Sequence, residues 1–165
     1  MKKKVINWGI ISSAKIGLEH VIPAIIKSKN SNLLAIASRS KSKATKLQKK
    51  FNITKSYGSY DELYLDPDID IVYNPLPNHL HIKTSLKACA HGKHILLEKP
   101  LSLKAKDINP LIKKAANHKI IIKEAFMVRH HPQWQWIKKY IKSGSIGKIS
   151  NISSVFSYFN KDPNN

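Results

Sequence analysis

The chain of 165 residues carries 29 Lys and Arg against 10 Asp and Glu, a formal charge of +19. With 42% hydrophobic and 24% charged residues it has the composition of a folded domain with one good core, and that argues against disorder. No apolar run approaches the roughly 20 residues needed to span a bilayer.

The cations are almost all lysines, with Arg39 and Arg129 the exceptions, and they are scattered along the chain. Nucleic-acid readers concentrate charge on one face and favour arginine for bidentate contacts, so no specific nucleic-acid partner is expected. The field will still attract polyanions, phosphorylated cofactors among them. The single cysteine, Cys89, cannot form an intrachain disulfide and fits a reducing, cytoplasmic compartment. It lies between Leu86 and Ala90 on an apolar helix face, where it reads as a packed core thiol.

In chain order, residues 5–11 read as a buried strand behind a lysine tail. A signal peptide is the poorer reading, because Asn7 interrupts the apolar stretch and no convincing small-residue cleavage site follows. Residues 15–29 follow as a helix, with Ile16, Val21, Ile22, Ile25 and Ile26 as its stripe. Pro23 either kinks that helix or starts its main body. A strand over 33–38 leads to a helix over 41–51, a short strand at 56–57 and a short helix over 59–65 capped by Ser59 or Asp61. Then come a strand over 70–74 ending at Pro75, a helix over 79–91 closed by Gly92, and a strand over 94–98. A helix over 104–118 and a strand over 120–124 complete the series. This alternation predicts an α/β fold, a doubly wound parallel sheet with helices on both faces.

After about Phe126 the pattern changes. Residues 131–143 predict a helix carrying Trp134 and Trp136, and 144–147 a turn. Residues 148–159 predict a long aromatic strand with no partner in the remaining chain. The expected division is a nucleotide-binding domain over 1–125 and the incomplete start of a second domain over 126–165. Pairing of that strand with another subunit is the competing account, since a free edge would promote aggregation.

Three places carry chemistry. Behind the first strand, Ser12, Ala14 and Gly17 fall at the spacings of a dinucleotide-binding glycine fingerprint, with one glycine in three. Ser12, Ser13 and Lys15 could donate to phosphate oxygens at such a helix start. At the end of the second strand, Ser38-Arg39-Ser40-Lys41-Ser42-Lys43 stands where an NAD enzyme would carry a carboxylate for the ribose hydroxyls. Hydroxyls, a guanidinium and ammonium groups suit a ribose 2′-phosphate, so NADP is expected in preference to NAD. Further on, Asn74-Pro75-Leu76-Pro77-Asn78-His79-Leu80-His81 and Glu98-Lys99-Pro100 each follow a strand, at the sheet edge where open α/β folds bind ligands. Asn78 can cap the following helix. His79 and His81 form an H-x-H pair, but no third ligand is fixed by spacing, so capping, packing or substrate contact is preferred to a metal. Lys99, beside a nicotinamide, could polarise a substrate hydroxyl and favour its deprotonation.

Together these motifs resemble the Gfo/Idh/MocA oxidoreductase family. The match runs in order through Trp8-Gly9-Ile10, Ala14-Lys15-Ile16-Gly17, Ala37-Ser38-Arg39, Tyr60-Asp61-Glu62-Leu63 and residues 70–73. It continues through Pro77-Asn78-His79-Leu80-His81, Gly92-Lys93-His94, Glu98-Lys99-Pro100 and Glu124-Ala125-Phe126-Met127. Arg129-His130-His131-Pro132-Gln133 and Gly144 with Ile146-Gly147 complete it. The block after Glu124 is similar to the branch of dihydrodiol dehydrogenases and NADP-dependent D-xylose dehydrogenases. The resemblance implies a Rossmann domain ahead of an α/β domain with an open sheet, and hydride transfer between NADP(H) and a sugar, polyol or diol. It implies that Ser12, Ser13, Ala14, Lys15 and Ile16 hold the cofactor's phosphates, and Ser38, Arg39 and Lys43 its 2′-phosphate. Asn74, Pro75, Leu76, Asn78 and His79 would line the nicotinamide, and Glu98 would meet its ribose. Lys99 would contact both nicotinamide and substrate, and Pro100 would carry a tight, often cis, peptide. Arg129 would contact cofactor or substrate, although an ion pair with Glu124 is an equal reading. The family's acid–base residue lies beyond position 165, so a catalytically inactive dinucleotide-binding module is the alternative. A homo-oligomer is expected of a full-length protein.

Overall fold

Strand β1 (Ile6–Ile11) lies at the centre of a six-stranded sheet in the order β3-β2-β1-β4-β5-β6. The other strands are β2 (Ser31–Ala37), β3 (Lys55–Tyr57), β4 (Ile71–Asn74), β5 (His94–Leu97) and β6 (Ile122–Glu124). All five pairings are parallel, and this is the doubly wound order that reverses direction between β1 and β4. The computed structural model describes residues 5–159, in two compact units that meet at Phe126 and Met127 in the chain.

The two-residue period of the strands fills both faces. Ile10, Leu33, Ile36 and Tyr73 pack on one side with Ile22, Ile25 and Ile53. Their neighbours Ile11, Leu34, Ala35 and Val72 pack on the other with Leu63, Tyr64, Leu97 and Leu111. Cys89 is fully buried in that second cluster, and burial pushes its thiol up from the ordinary range.

Helices α2 (Lys41–Phe51) and α3 (Tyr60–Leu65) agree closely with the predicted bounds. Ser59 is the cap of α3: its hydroxyl accepts from Glu62 N, while the Glu62 carboxylate reaches back to Gly58 N. The first helix differs. It is helical from Lys15, as expected, but widens over Gly17–Val21, where Ile22 N bonds the Gly17 carbonyl, before α1 (Ile22–Lys27). Pro23 stands at the second residue of that α-helical body. The predicted helix over 79–91 is a tight 3₁₀ turn, Asn78–Leu80, followed by α4 (His81–Ala90). Asn78 caps neither, contrary to expectation, because the chain is already turning at that residue and its own carbonyl accepts the bond from His81 N. Gly92 closes the helix at φ +72, where an L side chain would be strained. A turn at Ala105–Asp107 leads into α5 (Ile108–Asn117).

In the second unit a tight turn, Met127–His130, precedes α6 (Pro132–Lys142), whose cap is the His131 ring accepting from Gln133 N. Trp136 and Tyr140 stack on that helix with centroids 5.0 Å apart. The long strand predicted over 148–159 does not form: residues 151–159 are irregular, and Val155 and Phe156 are about nine-tenths exposed (91% and 90%). A strand exists through its ladder, and no described residue pairs with this run.

At the amino edge of the sheet, side chains take over where the ladder stops. Lys55 donates to Asp66 (2.9 Å) and Asp68 (2.7 Å), and the Tyr57 hydroxyl donates to Asp66 (2.7 Å). Buried Lys93 donates to the carbonyls of Asp66 and Ile69. Burial would raise the Asp66 carboxyl, but the bonds from Lys55, Tyr57 and Asp68 N outweigh it and hold it below the usual value. A depressed carboxylate stabilises the fold above its unfolded pKa, and that contribution is lost as pH falls through the folded one. Asp66→Asn is therefore expected to cost roughly 1–3 kcal/mol at pH 7, with the gap to wild type closing towards pH 2. Urea denaturation across that range measures it, and a gap independent of pH would refute the assignment.

Candidate functional site

The site is assembled where the strands end. Ser12, the first residue after β1, sits at φ 80 in the left-handed region that glycine normally occupies. Its N–H donates to Ala37 O (2.9 Å), and its hydroxyl accepts from Ala14 N (3.2 Å). Ala14 O then accepts from Gly17 N (3.0 Å) and Leu18 N (3.2 Å), which turns the chain into the first helix. Lys15 projects outward, with Glu19 4.0 Å away.

After β2, Ser38 is buried and Arg39 exposed. Ser40 caps α2 by accepting from Lys43 N (3.4 Å). Ser12, Ser13, Ser38, Arg39, Ser40, Lys43 and Tyr60 line a single cavity of about 380 Å³. Four hydroxyls, a phenol, a guanidinium and an ammonium converge there, with no carboxylate among the lining residues. Arg39 and Tyr60 also border a second cavity of about 420 Å³, beside Leu80 and Thr84. Burial raises the Tyr60 phenol, and the Arg39 guanidinium works against it. Tyr60 went unremarked in the chemical reading of the sequence, because its helix is remote in the chain from the motifs it joins.

After β4, buried Asn74 turns its side chain inward. It donates to Thr84 Oγ1 (2.8 Å) and accepts from Leu76 N (3.2 Å). Pro75 and Leu76 are buried with it, while Asn78 and His79 are exposed at the rim. The H-x-H pair is divided: His81 is fully buried, and its two ring nitrogens face the Pro100 carbonyl (2.8 Å) and the Leu76 carbonyl (2.7 Å). That leaves neither nitrogen for a metal.

After β5, Glu98 N donates to Asn74 O (3.0 Å). The Glu98 carboxylate accepts from the Tyr73 hydroxyl (2.7 Å) and from Lys99 N (3.3 Å). Burial, then the bond to Glu98, drives the Tyr73 phenol far above its ordinary range. Lys99 is exposed, the Lys99–Pro100 peptide is cis, and Leu101 N donates to the Glu124 carboxylate (2.8 Å). Because every strand is parallel, Arg39 behind β2 and Lys99 behind β5 stand on one edge of the sheet. Arg129 belongs to the second unit, where its carbonyl accepts a bond from Gln135. The sequence offers no site role for Tyr73, since it lies within a strand pattern that burial alone explains. It singles out Glu124 as a partner of Arg129, whereas the Glu124 carboxylate accepts from Leu101 N.

A doubly wound parallel sheet with a small-residue turn after its first strand and cationic and hydroxyl groups at its carboxyl edge has the form of a dinucleotide-binding Rossmann domain. The chain belongs to the Gfo/Idh/MocA family, an oxidoreductase family with an NAD-binding Rossmann fold, whose model matches residues 6–126. It is 35% identical over 151 residues to a trans-1,2-dihydrobenzene-1,2-diol dehydrogenase of Xenopus tropicalis, covering 91% of this chain and 46% of that one. It is also 35% identical to D-xylose 1-dehydrogenase (NADP(+)) 2 of Haloferax volcanii, covering 92% and 46%. Among solved structures it superposes on KijD10, a 3-ketoreductase from Actinomadura kijaniata in complex with NADP, with a TM-score of 0.81. That likeness has 32% identity and covers 88% of this chain and 46% of that one. The chain spans about half the length of the curated relatives it matches.

Gly17 is the fingerprint glycine whose reason is spatial. A Cβ there would stand 3.2 Å from the Tyr73 ring, which Glu98 holds in place. Gly17→Ala is expected to cost about 1–3 kcal/mol by overpacking. A urea midpoint unchanged from wild type would show that the ring has room to retreat.

Proposed function

We propose that this chain is the cofactor-binding portion of an NADP(H)-dependent oxidoreductase acting on a hydroxyl or carbonyl of a sugar, polyol or diol. The observation that carries the reading is the cavity after β1 and β2, in which Ser12, Ser13, Ser38, Arg39, Ser40, Lys43 and Tyr60 meet without a carboxylate. NAD-selective sites place Asp or Glu where this chain has Arg39, to bind the ribose hydroxyls. A 2′-phosphate would meet that carboxylate with repulsion, and meets Arg39 with charge-assisted bonds.

The residues divide the work. Arg39, Lys43 and Ser38 grip the 2′-phosphate. Ser12, Ser13, Ala14, Lys15 and Ile16, at the mouth of the first helix, serve the pyrophosphate. The N–H donors come from Ser13, Lys15 and Ile16, because Ser12 N is bonded to Ala37 O and Ala14 N to the Ser12 hydroxyl. Asn74, Pro75, Leu76, Asn78, His79 and Pro100 flank the nicotinamide, and Glu98 accepts from its ribose. When bound, NADP(H) accepts or supplies the hydride. The Lys99 ammonium holds the substrate oxygen and takes up the charge that develops as its proton leaves. Arg129 would contact cofactor or substrate. The relatives act on diols and sugars by their names, and that supports the substrate class. The same proposal includes a homo-oligomeric whole protein and a cytoplasmic location, the latter supported by the buried, unpaired Cys89. Among the described residues no helix is long and apolar enough to cross a membrane.

Titration with NADPH and NADH, followed by nicotinamide fluorescence, tests the cofactor assignment. NADPH is expected to bind at least about tenfold more tightly, and Arg39→Ala to remove roughly 1.5–3 kcal/mol from NADPH binding while leaving NADH almost unaffected. Equal affinity of the wild-type chain for both cofactors would overturn the 2′-phosphate assignment.

A further inference from the structure

We propose that His81 is a positioning residue for the reactive corner, acting on Lys99 through the Pro100 carbonyl. The inference rests on the cofactor reading above and adds to it a role for the second histidine of the H-x-H pair.

Three observations carry it. His81 is fully buried, so its polar ring atoms need partners inside the protein. Its Nδ1 stands 2.8 Å from Pro100 O and its Nε2 2.7 Å from Leu76 O. Those two carbonyls belong to the loops after β5 and after β4, the same loops that carry Lys99 and the nicotinamide-facing residues. A carbonyl oxygen only accepts and a neutral imidazole has one N–H to give, so we assign that proton to Nδ1, facing Pro100 O. The ring stands between two loops that share no strand, at the first turn of α4.

The corner has few other anchors. Glu98 is tied to Tyr73 and to Asn74 O, and Leu101 N to Glu124. Between them, the Lys99 side chain is exposed. Pro100 has no N–H to give, so its carbonyl is the backbone group by which this residue can be fixed. Loss of the Nδ1 donor would release the Pro100 carbonyl from its side-chain partner and let the corner shift. Displacement of an aligned group by about 1 Å is enough to impair chemistry. Arg39 and the phosphate cavity lie three strands away across the sheet and do not depend on this bridge.

The test uses the full chain and two probes. NADPH reports on both ends of the cofactor, and 2′,5′-ADP on the adenine and phosphate end alone. His81→Leu is expected to keep its affinity for 2′,5′-ADP within about twofold, to bind NADPH roughly tenfold more weakly, and to lose the nicotinamide fluorescence change. His81→Asn places an amide nitrogen where Nδ1 stood and is expected to restore NADPH binding. His81→Gln places it where Nε2 stood and is expected not to. Equal weakening of both probes by His81→Leu, unchanged NADPH binding in that variant, or rescue by Gln and not by Asn would each overturn the proposal. If the leucine variant binds neither probe, the asparagine variant decides alone: near-wild-type NADPH affinity supports the bridge and its loss refutes it. Failure of the wild-type chain to bind either probe would instead strike the cofactor reading.

Discussion

A parallel sheet satisfies its backbone only as far as its ladders run, and the whole carboxyl edge of this protein is organised by what happens one residue later. Buried N–H and C=O groups without partners are too costly to tolerate. Beyond β4 and β5 those partners are side chains. Asn74 holds Leu76 N, His81 faces the Leu76 and Pro100 carbonyls, and Glu124 holds Leu101 N. Each of these is itself placed by a strand or a helix start. The loops that carry Lys99 and Glu98 are thus fixed from β4, α4 and β6 at once, and exposed groups on them inherit the rigidity of the core.

The two edges treat charge differently, and the difference bears on function. At the amino edge, lysines are neutralised or spent: Lys55 on two aspartates, Lys93 on two backbone carbonyls. At the carboxyl edge, Arg39 and Lys43 border a cavity lined otherwise by hydroxyls. A cation facing a cleft without a local counter-charge is poorly placed for stability and well placed for an anion. The surplus of lysines elsewhere raises the attraction for any such ligand without choosing it.

Much of this architecture was legible in the chain. Short apolar runs alternating with helical stripes specified the parallel sheet, since strands buried on both faces read as unbroken runs such as residues 33–37. The family resemblance was equally plain in the order of its motifs. Three things were not legible, each for a physical reason. The first helix widens over Gly17–Val21, and Gly17 lies against the Tyr73 ring, a contact between residues 56 positions apart that no local period encodes. The roles of Tyr73, Glu124 and His81 depend on which backbone groups the ends of the ladders leave unpaired, and a sequence pattern does not contain that. Residues 148–159 carry strong β-propensity, yet propensity is realised only against a partner strand, and none is described. The same distinction separates Asn74, whose amide donates to Thr84 in α4 and accepts from Leu76 N, from Asn78 and His79, which follow in the same motif and are exposed.

The turn after β1 shows why a glycine fingerprint can lose two of its three glycines and still form. The first position needs a left-handed backbone, and Ser12 adopts it at φ 80. For an L residue that costs roughly 1–2 kcal/mol, and the Ser12 hydroxyl offsets part of it by accepting from Ala14 N. The second position needs a small residue, and alanine is small. The third needs no Cβ at all, because the first helix rests against the Tyr73 ring there. That ring cannot simply move aside: its hydroxyl is the donor that orients Glu98. The turn after β1 and the Glu98-Lys99-Pro100 corner are therefore linked through one tyrosine, and a side chain at position 17 would press on the ring that holds Glu98.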